Sequence, residues 1–413
     1  MTAHHHDGAA DGASRSAFGL LIGSPYGAYF GGKMLWATGV WVFNITSAIL
    51  MYSLTSSAFL VGLVTFVQYL PLLALSPFSG ARADMGDARR QAAAARAVMA
   101  VGSGALGIRL LVGGGSTRAT IAVLLLAALV FGIGDAMGAP AAQALVPSLV
   151  RRDELPTAIE LDAIPFTLAR AVGPVLGAAI AVAISSASAY LYTAAVCLIF
   201  AIVLTRLRPE RDRRQELRTG DGSVREGLRY LRTQPLLMVL LVGVTAVGFG
   251  VDPIVTLMPS LVSELGGDPE VVAFMASAFG TGAGVMLLLL RFVRRRLGSD
   301  RVATLGLSLL ASILVLLMVV TDVSAALVAV GFAGAGYSMA ITSLTTLLQS
   351  NVEERMRGRI MSFWSVTYFG TRPIAATVHG AIADLASVRV ALLLTVAIVV
   401  TGAVTLGRRV RLP

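Results

Sequence analysis

Charge is scarce in this sequence. Only 14% of its 413 residues are Asp, Glu, Lys or Arg, where a soluble domain carries roughly a quarter. Lysine is almost missing: Lys33 stands alone beside 32 arginines. Cys197 is the one cysteine, so no disulfide can form within the chain, and its apolar setting reads as packing. His379 is the one histidine outside the N-terminal tail, too little for the His–carboxylate cluster of a membrane enzyme. There is no Gly-x-x-x-x-Gly-Lys-Ser/Thr phosphate loop, which argues against an ATP-driven pump. No cofactor and no metal are expected; His4, His5 and His6 read as part of a disordered or tag-like tail. That tail, MTAHHHDGAADGASRS, lacks a signal-peptide pattern, so the first span is expected to direct insertion itself.

Apolar residues fill the space that charge leaves. They make up 56% of the chain, with a mean hydropathy of +0.79. They come in runs such as Val302 to Val320, which carries no charge at all. Runs of about 20 apolar residues match a hydrocarbon layer about 30 Å thick. Twelve spans are expected: 28–53, 57–80, 92–112, 119–146, 157–183 and 188–206, then 236–261, 271–290, 302–320, 323–348, 360–384 and 388–407. The expected fold is all-α and integral to the membrane, with two six-helix halves at 28–206 and 235–408. A flexible tail (1–27), a linker (207–234) and a short tail (409–413) complete the chain, all cytoplasmic. The split between the ninth and tenth spans rests only on Thr321–Asp322.

The arginines give an independent test of that count. With a cytoplasmic N-terminus, alternate loops collect Arg82, Arg89 and Arg90, then Arg151 and Arg152, and nine more from Arg206 to Arg232. The same side collects Arg291 to Arg301, Arg355 to Arg359 and Arg408 to Arg411. The other side holds only Arg118 and Arg389. This is the positive-inside asymmetry, and it places both termini in the cytoplasm. A net charge of +10 spread over every second loop is topogenic rather than a nucleic-acid surface. Six spans, a charged linker and six spans is the layout of a transporter built from two parallel repeats.

Several segments then become specific. SPFSGARADMGDARR follows the second span, and its Gly80, Asp84, Arg89 and Arg90 resemble the loop 2–3 signature of the major facilitator superfamily. Asp87 stands where that signature has its second glycine. Gly39 with Trp41, PAAQALVP at Pro140 to Pro147, and Arg357-Gly358-Arg359 are similar to the drug- and siderophore-exporter branch. So are Arg170-Ala-Val-Gly173-Pro174-Val-Leu-Gly177 in the fifth span and Phe279-Gly280-Thr-Gly282-Ala-Gly284 in the eighth. The resemblance implies alternating access, export and proton coupling. It also implies that spans 5 and 8 pack across the halves, with Gly173, Gly177, Gly280 and Gly284 as a sliding seam or as ordinary tight packing. Pro165 and Pro174 are expected to bend the fifth span.

Ionisable residues inside spans are functional hypotheses by default. Asp135 lies closest to mid-depth among the acids and is the first choice for a proton carrier, with a permanently paired structural Asp as the alternative. Asp252 and His379 follow. Arg170 fits the exporter pattern; Arg372 departs from it and either meets an anionic group of the substrate or pairs with Asp135 or Asp252. Asn44, Gln68 and Tyr69 are cavity residues or helix–helix hydrogen bonds. Glu160 and Asp162, a turn or two into the fifth span, read as a cytoplasmic gate, while Lys33 reads as snorkelling.

The expected partners are therefore a small amphiphilic substrate (a drug, siderophore or other secondary metabolite), protons and the bilayer. The chain is expected to act as a monomer in a bacterial plasma membrane. A lipid flippase or a uniporter of the same fold is the alternative.

Overall fold

The computed structural model of the protein describes residues 17–22, 24–207, 224–353 and 356–410, with the side chains of 76–85, 224–225 and 410 left undescribed. His4 to His6, most of the expected linker and the last three residues lie outside the described residues.

The described residues contain helices and no strand. A short α1 (Ala17–Leu21) precedes the first span, so the segment read as tail is helical just before the membrane, with Leu20 fully buried. The first half follows as α2 (Pro25–Thr55), α3 (Ala58–Met85), α4 (Ala88–Val112), α5 (Thr117–Leu145), α6 (Leu155–Asp162) with α7 (Ile164–Ala183), and α8 (Ser186–Arg206). Surface helix α9 (Val224–Thr233) leads to the second half. That half comprises α10 (Pro235–Val251), α11 (Pro253–Thr256), α12 (Met258–Glu264), α13 (Val271–Leu297), α14 (Ser299–Val319), α15 (Val323–Ser350), α16 (Arg357–Phe369), α17 (Thr371–Leu385) and α18 (Val388–Val410). Among the described residues, eleven spans are long and apolar enough to cross a membrane. The twelfth is the pair α16–α17, divided at Gly370.

Several helices begin where the sequence offers a cap. Ser24, Asp87, Ser116, Ser185 and Asp322 each accept a first-turn backbone N–H. Each such bond satisfies a donor that the helix itself cannot. Asp322, in the turn between the ninth and tenth spans, takes two, from Ser324 at 3.0 Å and Ala325 at 2.8 Å. Asp87 caps α4 in the place of the expected glycine, and Arg90 pairs with it at 3.3 Å. Arg89 donates to the Leu207 carbonyl at 2.7 Å. Helix α3 runs on to Met85, so Gly80 and Asp84 lie on helical backbone and the turn falls after them.

The two halves repeat one arrangement. In the first, α4 packs between α5 and α8, α3 lies on α5, and α2 lies on α7 and α8. In the second, α14 packs between α15 and α18, α13 lies on α15, and α10 lies on α18. Each half has its own buried core; Ala58 joins the core of the second half and Val255 that of the first.

Two helix pairs make the broadest joins between the halves, α7 with α13 and α3 with α17, while α11, α12 and α13 also touch α2. Close backbone approach explains the glycines there: a Cβ on Gly280 would strike the Arg170 backbone, and one on Gly62 or Gly380 would strike Ala376 or Ala58. Gly173 and Gly177 correct the expected four-glycine seam. They face Trp41 and Val42 of α2 in their own half, while Gly284 makes only ordinary contact with Thr167.

Further bonds tie the halves from mid-depth to the face opposite the termini. Asp384, near the end of α17, accepts from Ser57 Oγ and from the N–H groups of Ala58 (2.8 Å) and Phe59 (3.1 Å), capping α3 of the other half. Ser277 Oγ accepts from the Val175 N–H at 3.1 Å. Beside Asp384 lies a cavity of about 370 Å³ lined by Tyr52, Ser56, Ser260 and Glu264.

Three spans are broken: the fifth at Ala163, the seventh after Val251 and again at Leu257, and the eleventh at Gly370. Pro165, Pro253, Pro259 and Pro373 stand in the first turn of the segment after each break, where a missing N–H costs nothing. Pro174, expected to bend the fifth span, sits inside an unbroken α7.

Candidate functional site

The break at Pro253 frees Asp252 for chemistry. Asp252 occupies the N-cap position of α11, yet its carboxylate caps no backbone group. It turns instead to His379 of α17, with Oδ2 2.8 Å from Nδ1. Thr256, one turn on, donates to Oδ1 at 3.2 Å. On the far side of the ring, His379 Nε2 lies 2.9 Å from Thr395 Oγ1 of α18. The Phe249 ring stands edge-on to the imidazole at 5.9 Å. All four polar residues are buried.

Hydrogen counting at this cluster leaves two solutions. Thr395 has one hydroxyl proton and two acceptors in reach: His379 Nε2, and the Ala391 carbonyl at 3.1 Å. When the hydroxyl points to Ala391, Nε2 must carry a proton and donate to Thr395. The Asp252–Nδ1 contact then needs a second proton, on one partner or the other. When the hydroxyl points to Nε2, that nitrogen is bare, and Nδ1–H donates to the Asp252 carboxylate. The same heavy-atom positions therefore hold one proton more or fewer, at the cost of one hydroxyl rotation.

Two arginines, one near the middle of the fifth span and one near the middle of the eleventh, lie within electrostatic reach of each other, and Arg372 also senses Asp252. Arg170 of α7 has its guanidinium carbon 5.2 Å from the Trp41 ring centre and 4.8 Å from that of Tyr337, across the halves. Arg372 of α17 donates from Nη1 to the Tyr69 hydroxyl at 2.8 Å and lies 4.8 Å from that ring, again across the halves. Tyr337 and Tyr368 share a hydrogen bond of 2.6 Å. The Nε of each arginine is buried without a hydrogen-bond partner among the described residues. An unmade buried bond of this kind costs about 1–3 kcal/mol. Gln68 donates to Asn44 at 2.8 Å, and these two, Tyr69 and Arg372 line one cavity of about 10 Å³. Arg372 therefore joins three of the residues expected around it. The alternative of an ion pair with Asp135 or Asp252 does not form, because those carboxylates are held by Arg96 and His379.

The remaining charged residues sit elsewhere. Asp135 lies 3.3 Å from Arg96 of α4, wholly within the first half and apart from Asp252. Arg96 was not singled out in the sequence, yet it is fully buried and stacks 3.9 Å from the Trp36 ring centre. Its signal was available: an arginine inside the expected third span, between alanine runs. Lys33 is paired with Asp162 at 2.6 Å rather than snorkelling. Both belong to the first half, so this pair ties α2 to α6 and does not bridge the halves as a gate would. Glu160 is exposed with no described partner.

Residues 29–413 match the model of a family described as transmembrane secretion effector. The chain is similar to the staphyloferrin A transporter of Staphylococcus aureus, 23% identical over 346 residues that cover 81% of this chain and 83% of that protein. Its fold is that of solved transporters. A bacterial homologue of the iron transporter ferroportin, in an inward-facing state, superposes with a TM-score of 0.72 at 14% identity, covering 93% of this chain and 98% of the other. The nucleoside transporter NupG gives 0.73 at 12% identity, over 94% and 100% of the two chains. The D-xylose–proton symporter gives 0.70 at 13% identity, over 91% and 96%.

Proposed function

Because this chain belongs to the transmembrane secretion effector family of the major facilitator superfamily, we propose that it is a secondary exporter exchanging protons for a small organic compound. It works as a monomer by alternating access in a bacterial plasma membrane, with both termini in the cytoplasm. Arginine-rich loops on the terminal face support that orientation. The Asp384 clamp on the opposite face supports an inward-facing resting arrangement. A relative named for staphyloferrin A supports a discrete small organic cargo rather than bulk lipid.

The observation that carries proton coupling is the Asp252–His379–Thr395 cluster. A coupling site must hold a proton in one state and release it in another without collapsing. This cluster has a bonded arrangement for each. Asp135, with Arg96 beside it, takes the lesser role of holding α4 against α5.

The test is substrate-driven proton release from energised everted vesicles, followed with a pH-gradient dye across a panel of antibiotics, dyes and siderophores. Asp252→Asn and His379→Gln are expected to abolish the response, and Asp135→Asn to keep it in part. A response surviving Asp252→Asn but lost in Asp135→Asn would transfer the role to Asp135. No response with any compound, from well-expressed protein, would overturn proton coupling.

A further inference from the structure

We infer that Arg170 and Arg372 form a two-point anion site, and that the cargo is an organic anion with two acidic groups on an apolar body. The inference deepens the transporter reading and rests on it, since it names the substrate class of the same central site.

Charge supplies the first part of the argument. Two permanently charged guanidinium groups at mid-depth of a membrane protein call for counter-charge. The acids near them are spoken for: Asp252 by His379 and Thr256, and Asp135 by Arg96. Among the described residues no carboxylate pairs with either arginine. What touches them is aromatic, namely Trp41, Phe166 and Tyr337 about Arg170, and Tyr69 about Arg372; the one carboxylate that Arg372 senses, Asp252, bonds to His379 instead. Ring faces hold a cation in place but leave its charge uncancelled.

Geometry supplies the second. Tyr69 occupies Nη1 of Arg372, and its Nε has no partner, so one edge of the guanidinium keeps parallel N–H donors. Arg170 likewise has an unpartnered Nε. That fork is the shape a carboxylate or phosphate accepts with two oxygens, and a lysine cannot reproduce it. Both residues retain some exposure, and Arg372 lines the small cavity with Asn44, Gln68 and Tyr69.

Placement supplies the third. The arginines belong to opposite halves, sense each other electrostatically, and flank the Tyr337–Tyr368 pair. Each lies on an aromatic ring of the other half. A cargo with one acidic group replaces only one unpaired contact, whereas a cargo with two spans the halves and neutralises both cations together. The aromatic walls suit an apolar body between the acids.

The test is binding to the purified full-length protein, read by quenching of tryptophan fluorescence, with Trp41 beside Arg170 as reporter. The probes are saturated α,ω-dicarboxylates of increasing length, the monocarboxylates of matched length, and the corresponding diamides. At least one dicarboxylate is expected to bind about tenfold or more tightly than its monocarboxylate, with the diamide inert; tenfold is the lower end of what one charge-assisted contact supplies. Arg170→Gln and Arg372→Gln are each expected to erase that preference, and Tyr69→Phe to keep it. If a glutamine variant fails to fold, Arg170→Lys and Arg372→Lys carry the test, since charge without the fork should still lose most of the preference. No dicarboxylate binding in the millimolar range, or a preference that survives both arginine substitutions, overturns the site. Binding reads neither direction nor coupling. Dicarboxylate preference without vesicle proton release would keep this site and sink coupling; proton release driven only by cationic or neutral compounds would do the reverse.

Discussion

Thr395 is a small residue with a large part in the proposed chemistry. At His379 Nε2 its hydroxyl can donate or accept without moving a heavy atom. Replacing it with valine preserves shape and removes that freedom, leaving His379 Nε2 without a partner in either protonation state. We expect Thr395→Val to slow proton-coupled transport about tenfold, the rate equivalent of one lost buried hydrogen bond. It should also flatten the dependence of rate on pH, and Thr395→Ser should restore both. Binding of dicarboxylate probes should change little, because Thr395 touches neither arginine. Normal coupling in Thr395→Val would remove the rotating hydroxyl from the mechanism. The sequence named Asp252 and His379 separately but had no means of pairing them. They are 127 residues apart, and no helical period relates positions on different spans. Arg96 escaped for a different reason: near the start of an expected span, a basic residue looks like loop charge until the ring of Trp36 is seen against it.

Among the elements, those that hydropathy alone could find were found, because lipid demands long uninterrupted apolar helices with their backbone groups satisfied internally. The eleventh span carries Arg372 and His379 and is divided at Gly370, so neither of its helices alone is long enough to cross. Breaks within spans were partly visible: a proline marks where a helix can restart, but Pro165 opens a new segment and Pro174 does not. The weakest boundary, Thr321–Asp322, turns out to be a helix start with its own cap. Hydrogen bonds from Ala325 and Ser324 hold the Asp322 carboxyl below the usual aspartate range. A folded-state pKa below the unfolded one adds stability above the unfolded value, about 3.9, and loses it as pH falls through the folded one. Asp322→Ala is therefore expected to lower the melting temperature of purified protein at neutral pH. The gap to the parent should close on acidification below about pH 4. A gap of constant size across that range would show that the charge of the carboxylate contributes nothing to the cap.

At the scale of the whole molecule, each half has its own core, and the two meet chiefly along α3–α17 and α7–α13. Asp384 is the clearest clasp on the face opposite the termini. Asp384→Ala should shift the resting population toward opening on that side. A cysteine at Ser260, buried beside the cavity that Asp384 lines, reports this directly, and the native Cys197 is itself buried and should stay silent. We expect a membrane-impermeant maleimide, added outside intact cells, to label Ser260→Cys several-fold faster when Asp384→Ala is also present. Equal rates would mean that other contacts hold this face shut.

That clasp also bears on how the protein is made. The leading amides of α3 emerge early from the ribosome, yet their partner lies 326 residues further along the chain from Ala58. Until the eleventh span is inserted, the amides of Ala58 and Phe59 wait for their acceptor, and only Ser57 Oγ, which accepts from the Leu60 N–H at 3.1 Å, caps the start of the second span. The first six helices are thus an unfinished product when synthesised alone, and translation of the second half completes them.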